Sequence, residues 1–126
     1  MSDCSVCLTV DESVVCDVFR QQNVRARKPH RCCECGRLIA KGELHQLCNM
    51  LCEGEWSAER TCLVCAEIRK AFYCHGEMIG EFWSQMEDYA FPEITQGSDC
   101  LKKLTTVEAK RYFAKRYRDW KEARTA

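Results

Sequence analysis

The sequence predicts an α+β chain folded as one zinc-stabilised domain, residues 1–126. Residues 1–73 should hold a metal-binding turn, a β-hairpin and a short helix, and residues 74–126 two amphipathic helices. Three observations lead there. Twelve cysteines in 126 residues include three pairs at C-x-x-C spacing, Cys4/Cys7, Cys32/Cys35 and Cys62/Cys65, where chance placement gives roughly one. Turn residues bracket a β-like stretch between the second and third pairs. From residue 77 onward the apolar residues recur at helical spacing.

Length and composition narrow the class. A chain of 14.6 kDa has room for one compact domain. Hydrophobic residues at 46% and charged residues at 30% argue against disorder along the whole length. No apolar run approaches the ~18–20 residues that cross a bilayer, so no membrane partner is expected. Met1 to Val10 lacks the basic and long apolar regions of a secretory signal. Cysteine at this density means disulfides in a secreted protein or metal in a reducing compartment. Without a visible signal the expectation is metal and a cytoplasmic location.

The elements follow in order. Cys32-Cys33-Glu34-Cys35-Gly36 reads as a zinc knuckle: two thiolates three positions apart turn toward one ion, and the glycine supplies the tight backbone. Lys41-Gly42 is a turn, and Glu43 to Leu51 a strand of mixed apolar character. Glu53-Gly54 turns the chain into a return strand, Glu55 to Thr61. Thr61 is then placed to cap a helix running from Cys62 through Ile68 to Phe72.

Farther on, Met78, Ile79, Phe82, Trp83, Met86 and Ala90 form one apolar stripe, which predicts an acidic helix over about 77–90. It should end before Pro92, because a proline disfavours the α region for the residue before it. Glu93 to Asp99 reads as a loop. The last helix, about 105–124, opens with the capping-box spacing Thr105-x-x-Glu108. Its projection gathers Ala109, Tyr112, Phe113, Tyr117, Trp120 and Ala123 on one face. Lys110, Arg111, Arg118 and Lys121 lie opposite, with Lys115 at the edge.

Knuckle, hairpin, then a helix carrying the second cysteine pair resembles a treble-clef zinc finger over about 40 residues. On that reading Cys32, Cys35, Cys62 and Cys65 bind one Zn²⁺ in a closed tetrahedral site at ~2.3 Å. The helix N-terminus favours thiolates at Cys62 and Cys65. The alternative is four buried thiols or two disulfides. The stretch Ala26-Arg27-Lys28-Pro29-His30-Arg31-Cys32-Cys33-Glu34-Cys35-Gly36, with Thr61-Cys62-x-x-Cys65, is also similar to small zinc-knuckle proteins encoded by phages and prophages. That resemblance covers residues 24 to 83 and implies a source and a host-cell cytoplasm more than an activity. Cys48, Cys52 and the basic tail depart from the pattern.

A second Zn²⁺ is expected at Cys4, Cys7, Cys33 and Cys74, with His75 as a substitute ligand and Cys48/Cys52 as an alternative pair. Residues 1–73 hold few large aliphatic side chains. Structural zinc contributes on the order of 10–16 kcal/mol in small finger peptides, more than the net stability of most domains, so this half should not fold without metal.

Charge is segmented although the total is zero. Residues 1–73 carry ten basic and ten acidic residues, 74–100 six acidic and no basic, and 101–126 nine basic against three acidic. Two complementary antiparallel helices would account for this, as would a basic face of Lys110, Arg111, Lys115, Arg118 and Lys121 that docks a partner. An enzyme is not expected. There is no H-E-x-x-H, P-loop or G-x-S-x-G. The His-Asn-His nuclease pattern fails because His45 lies mid-strand and the Cys62–Phe72 helix has no histidine. No small-molecule substrate is expected either.

Protein docking ranks first on composition, because Trp56, Trp83, Tyr89, Phe91 and Trp120 exceed what so small a core must bury. With the resemblance, that implies a phage or prophage accessory protein that binds and modulates a host protein, such as a defence component. Nucleic acid ranks second, through Arg25, Arg27, Lys28, His30 and Arg31 together with the basic helix.

Overall fold

The computed structural model describes Leu8 and residues 16–73, 76–94 and 99–125. They form an α+β structure with a small antiparallel sheet and four α-helices. Strand β1 (Cys16–Arg25) leads to a short ribbon, β2 (His30–Arg31) and β3 (Leu38–Ile39). The hairpin β4 (Leu44–Cys52) and β5 (Glu55–Cys62) follows, and then α1 (Leu63–Phe72). Helix α2 (Phe82–Gln85) continues as a π-helical segment (Met86–Ala90) and a 3₁₀ turn (Phe91–Glu93), before α3 (Asp99–Lys102) and α4 (Val107–Thr125). No described helix is long and apolar enough to cross a membrane.

The hairpin lies where its sequence puts it. Glu53 (φ 53°) and Gly54 (φ 81°) are both left-handed, the two-residue turn that matches strand twist, and Cys52 pairs with Glu55 across it. Strand β1 is not anticipated. Its run Arg20-Gln21-Gln22-Asn23 has no apolar alternation and is exposed. It is held by backbone pairing to β4, from Val18 opposite Leu51 to Arg25 opposite Leu44. The sheet order is β1-β4-β5, so the mixed apolar strand is the central one.

Four helix expectations need correction. Cys62, not Thr61, is the N-cap of α1. Thr61 is fully buried and its hydroxyl accepts a 3.0 Å hydrogen bond from Arg69. The second helix begins at Phe82 rather than 77, because Gly80 sits at φ +96° and the Glu34 carboxylate accepts from the Gly80 N–H (2.8 Å) and the Phe82 N–H (2.9 Å). Nor does it stop before Pro92: Phe91 is helical (φ −54°, ψ −41°) and opens the 3₁₀ turn, and Pro92 follows it within that first turn, where its missing N–H is not needed. In α4 the capping hydroxyl belongs to Thr106, which accepts from the Ala109 N–H at 3.2 Å. The acidic member of that cap is Glu67 of α1, which accepts from the Thr105 and Thr106 N–H groups at 2.7 and 3.2 Å.

One core joins the two halves. Phe72, Phe82, Trp83, Met86, Phe91 and Phe113 pack against Ile39, Ile68 and the sulfurs of Cys32, Cys62 and Cys65. Phe72 and Phe113 stack at 5.4 Å, and Phe91 meets Phe113 edge-on at 5.7 Å. The acidic helix and α4 therefore meet through rings. No ion pair joins them among the described residues. Arg116 of α4 instead lies over the Trp83 ring at 4.5 Å.

Candidate metal centre and the basic cleft beside it

The knuckle is built by its backbone. The Cys32 N–H donates to Arg37 O (2.8 Å), the Gly36 N–H donates to Cys32 O (2.9 Å), and Gly36 takes φ +77° to close the turn. This points Cys32 and Cys35 at the start of α1. From the other side β5 delivers Cys62 as its last residue, and the first turn of α1 delivers Cys65. The four Sγ atoms lie within 4.8 Å of one another, and Cys35 Sγ stands 3.9 Å from Cys62 Sγ. Four sulfurs around an ion at ~2.3 Å stand about 3.8 Å apart. The donor set and spacing fit a divalent metal of zinc's size.

The surroundings suit thiolates. Cys32, Cys62 and Cys65 are buried and Cys35 is half-buried. The Cys62 N–H donates to Cys32 Sγ (3.3 Å) and the Trp83 indole N–H to Cys65 Sγ (3.4 Å). Hydrogen bonds from Cys35, Cys62 and Cys65 hold Cys32 far below an ordinary thiol, while crowding by Cys32 and Cys35 pushes Cys62 and Cys65 up. Sulfurs this close cannot all be anionic unless a cation sits among them.

The remaining cysteines divide. Cys33 faces away from the cluster, its Sγ 3.3 Å from Thr61 Oγ1, and burial pushes its thiol up to about 11. Cys4, Cys7, Cys74 and His75, the other members of the expected second site, lie outside the described residues. The alternative pair is not available as drawn: Cys52 is joined to Cys16 in a disulfide, and the buried Cys48 thiol donates to Gln46 Oε1 at 3.2 Å. Cys100, in the core, is disulfide-bonded too.

No protein-family model, curated protein or solved structure matches the chain. The arrangement around the cluster must therefore speak for itself.

Beside the knuckle lies a polar hub that the motifs do not reveal. Arg69 of α1 is fully buried. Its guanidinium donates to Glu34 (2.7 Å), Glu77 (3.0 Å) and Thr61 (3.0 Å), and to Gln46. Burial opposes its charge, but the Glu34 and Glu77 carboxylates raise its pKa further still. The sequence does carry one signal: Arg69 falls four residues after Cys65 and three before Phe72, on the inward stripe of α1.

On the other side of the knuckle, Arg25, Arg27, Lys28, His30 and Arg60 line a cleft of about 780 Å³ that no carboxylate enters. None of these arginines, nor Lys28, forms an ion pair among the described residues. Behind the cleft His45 is fully buried. Its Nδ1 lies 3.1 Å from Glu43 O and its Nε2 2.9 Å from Arg60 Nη1. The two ring nitrogens thus tie Arg60 to the Glu43 backbone through one buried side chain. Partial burial, with the positive charge of Arg60 and Lys28, lowers His30 below the ordinary imidazole value.

The other predicted surface is also on the outside. Lys110, Arg111, Lys115, Arg118 and Lys121 are all exposed on α4, and Lys115 pairs with Asp119 at 2.8 Å. The aromatic surplus is smaller than composition suggests: Trp83 and Phe91 are buried and Trp120 is half-buried, which leaves Trp56 and Tyr89 exposed.

Proposed function

We propose that this chain is a non-enzymatic, zinc-stabilised interaction module of the treble-clef kind that presents a cationic surface to nucleic acid. Zn²⁺ held by Cys32, Cys35, Cys62 and Cys65 would cross-link the knuckle to α1. A four-sulfur set leaves no open position for an activated water, so its role is structural. The observation that carries the reading is the cleft: five basic residues around one concavity with no carboxylate in its lining. In a chain of zero formal net charge, that segregation leaves Arg25, Arg27, Lys28 and Arg60 without an ion pair among the described residues, Arg25 and Arg60 bonding only to Gly42 O and His45. It attracts a polyanion and releases counterions on contact.

The test is retention of the zinc-loaded chain on immobilised heparin and on a mixed-sequence nucleic acid. Elution should depend on salt and shift to lower salt in Arg27→Ala and Lys28→Ala. Retention unchanged in those variants would remove the reading.

A second reading rests on α4, whose exposed Lys110, Arg111, Arg118 and Lys121 form no ion pair among the described residues. Here the face docks an acidic protein, and the chain is a phage- or prophage-encoded accessory that modulates a host protein in the host cytoplasm. Capture from host lysate should then survive nuclease and moderate salt and be lost in a variant with all four residues changed to Ala.

A further inference from the structure

The cleft is one end of a larger surface. Side chains alternate along β4, so Leu47 and Leu51 share a face with their cross-strand partners Arg60 and Trp56 of β5, and Arg20 of β1 joins them opposite Asn49. No Asp or Glu falls on this face between Val18 and Val24, Leu47 and Leu51, or Trp56 and Arg60. The opposite face is the one the helices reach: Arg69 of α1 bonds to Gln46 and Thr61, and Glu77 accepts from Gln21. Trp56 is 66% exposed, the most open of the large apolar residues described. An exposed tryptophan on a sheet face that also carries Arg20 and Arg60, holds no carboxylate and runs into a cationic cleft suits an occupant with flat apolar rings and regularly spaced negative charge.

We propose that this face, continued into the cleft, binds single-stranded nucleic acid, a base stacking on Trp56 while neighbouring phosphates lie along Arg60, Arg27 and Lys28. The inference rests on the nucleic-acid reading above and narrows it. Trp56 and Arg60 are four residues apart on one strand, about 13 Å, so one short oligonucleotide reaches both. A duplex hides the base faces that an indole would stack on. Stacking tolerates any base, so sequence preference should be weak.

The test titrates the zinc-loaded full chain with a labelled oligothymidine of about 12 nucleotides, inside the ~4–16 range such sites cover, and with a duplex of the same length. The single strand should bind more tightly, with loss of affinity at higher salt and quenching of tryptophan fluorescence. Trp56→Ala should weaken it about 5- to 150-fold, while Trp56→Phe keeps most of the affinity. Lys28→Ala should lower the slope of log affinity against log salt by about 0.7. Bound metal per chain, measured for every variant, separates a lost contact from a lost fold. Duplex bound as tightly as the single strand, with Trp56→Ala neutral, overturns the single-strand inference and leaves the nucleic-acid reading standing. Phe and Ala at position 56 equally weak overturns the stacking role. Neither nucleic acid bound at low salt overturns both proposals, and an acidic protein becomes the better occupant of this face.

Discussion

The knuckle and hairpin are held together differently from the helices that follow. In the sheet the fully buried groups are polar or sulfur-bearing, such as His45, Thr61, Cys48 and Cys62, with Ile39 in the β2–β3 ribbon as the aliphatic exception. In the helices most are rings and aliphatic chains, Phe72, Phe82, Ile68 and Met86, with Arg69, Cys65 and Cys100 as the polar and sulfur-bearing exceptions. The first set offers little apolar area to remove from water, and so depends on bonds with direction: a four-sulfur cluster placed to hold a metal, a disulfide and the Arg69 hub. The second draws on the hydrophobic effect at ~25 cal/mol per Å². They meet at Cys65, whose sulfur belongs to the cluster and to the core at once. Opening the cluster should therefore loosen the helices as well.

The largest expected effect follows from that junction. With Zn²⁺ bound as proposed, chelation or Cys65→Ser should remove a contribution on the order of 10–16 kcal/mol. Metal analysis should fall from one ion at this cluster to none, and the near-ultraviolet circular dichroism of the buried aromatics should collapse. If Trp83 and Phe113 kept their fixed environment in the apo chain, the two regions would be independent and the comparison broken.

Next comes the hub. Arg69→Leu leaves Glu34 and Glu77 facing each other with no counter-charge, a loss of about 3–5 kcal/mol for a broken buried pair. Denaturant titration should show it, with metal content unchanged. Adding Glu77→Gln to Arg69→Leu, which leaves Glu34 in place to hold the Gly80 and Phe82 N–H groups, should recover part of the loss, because the cost lies mostly in stranded charge.

The sequence made the directional half legible in its main parts. Cysteine spacing, Gly36 and the Glu53-Gly54 turn are local signals, and they place the knuckle, the hairpin and the cluster. It concealed β1, because an edge strand recruited by backbone pairing need not alternate, and the Arg69 hub, because its partners Glu34, Gln46, Thr61 and Glu77 come from four separate segments. In the ring-packed half the stripe from Met78 to Ala90 located the apolar face but not the helix start. That start is set by Glu34, 48 residues upstream of Phe82, which no local window contains. The predicted cap at Thr105 was one residue early for the same kind of reason, its carboxylate arriving from α1. The cationic cleft was visible only as a cluster of basic residues before the knuckle; that Arg60 completes it required the register of β5.

Smaller effects sharpen the comparison at its second seam, between α1 and α4. Thr106→Ala should cost about 1 kcal/mol, the usual worth of a capping hydroxyl, measured as a shift in denaturation midpoint. Glu67 titrates below the ordinary carboxylate value, since hydrogen bonds from Thr106 and Thr105 outweigh the opposing effect of its partial burial. A folded pKa below the unfolded one gives stability that is present above about pH 4.3 and is lost as pH falls through the lower, folded value. Glu67→Gln should flatten that part of the acid limb relative to the parent chain, and an unchanged limb would mean that the seam carries no linkage.

Glu34 sits between two of the clustered cysteines, yet its carboxylate receives the first N–H of α2. The distance along the chain from the end of α1 to Phe82 is thereby locked to the shape of the knuckle. The two residues of the hairpin tip, Glu53 and Gly54, make no such commitment, the Cys16–Cys52 disulfide and the Cys52–Glu55 pair closing the strands just below them. Loop grafts or affinity tags should be tolerated there, whereas a single residue inserted between Gly76 and Glu81 would pull the helix off its anchor and throw every ring behind it out of register.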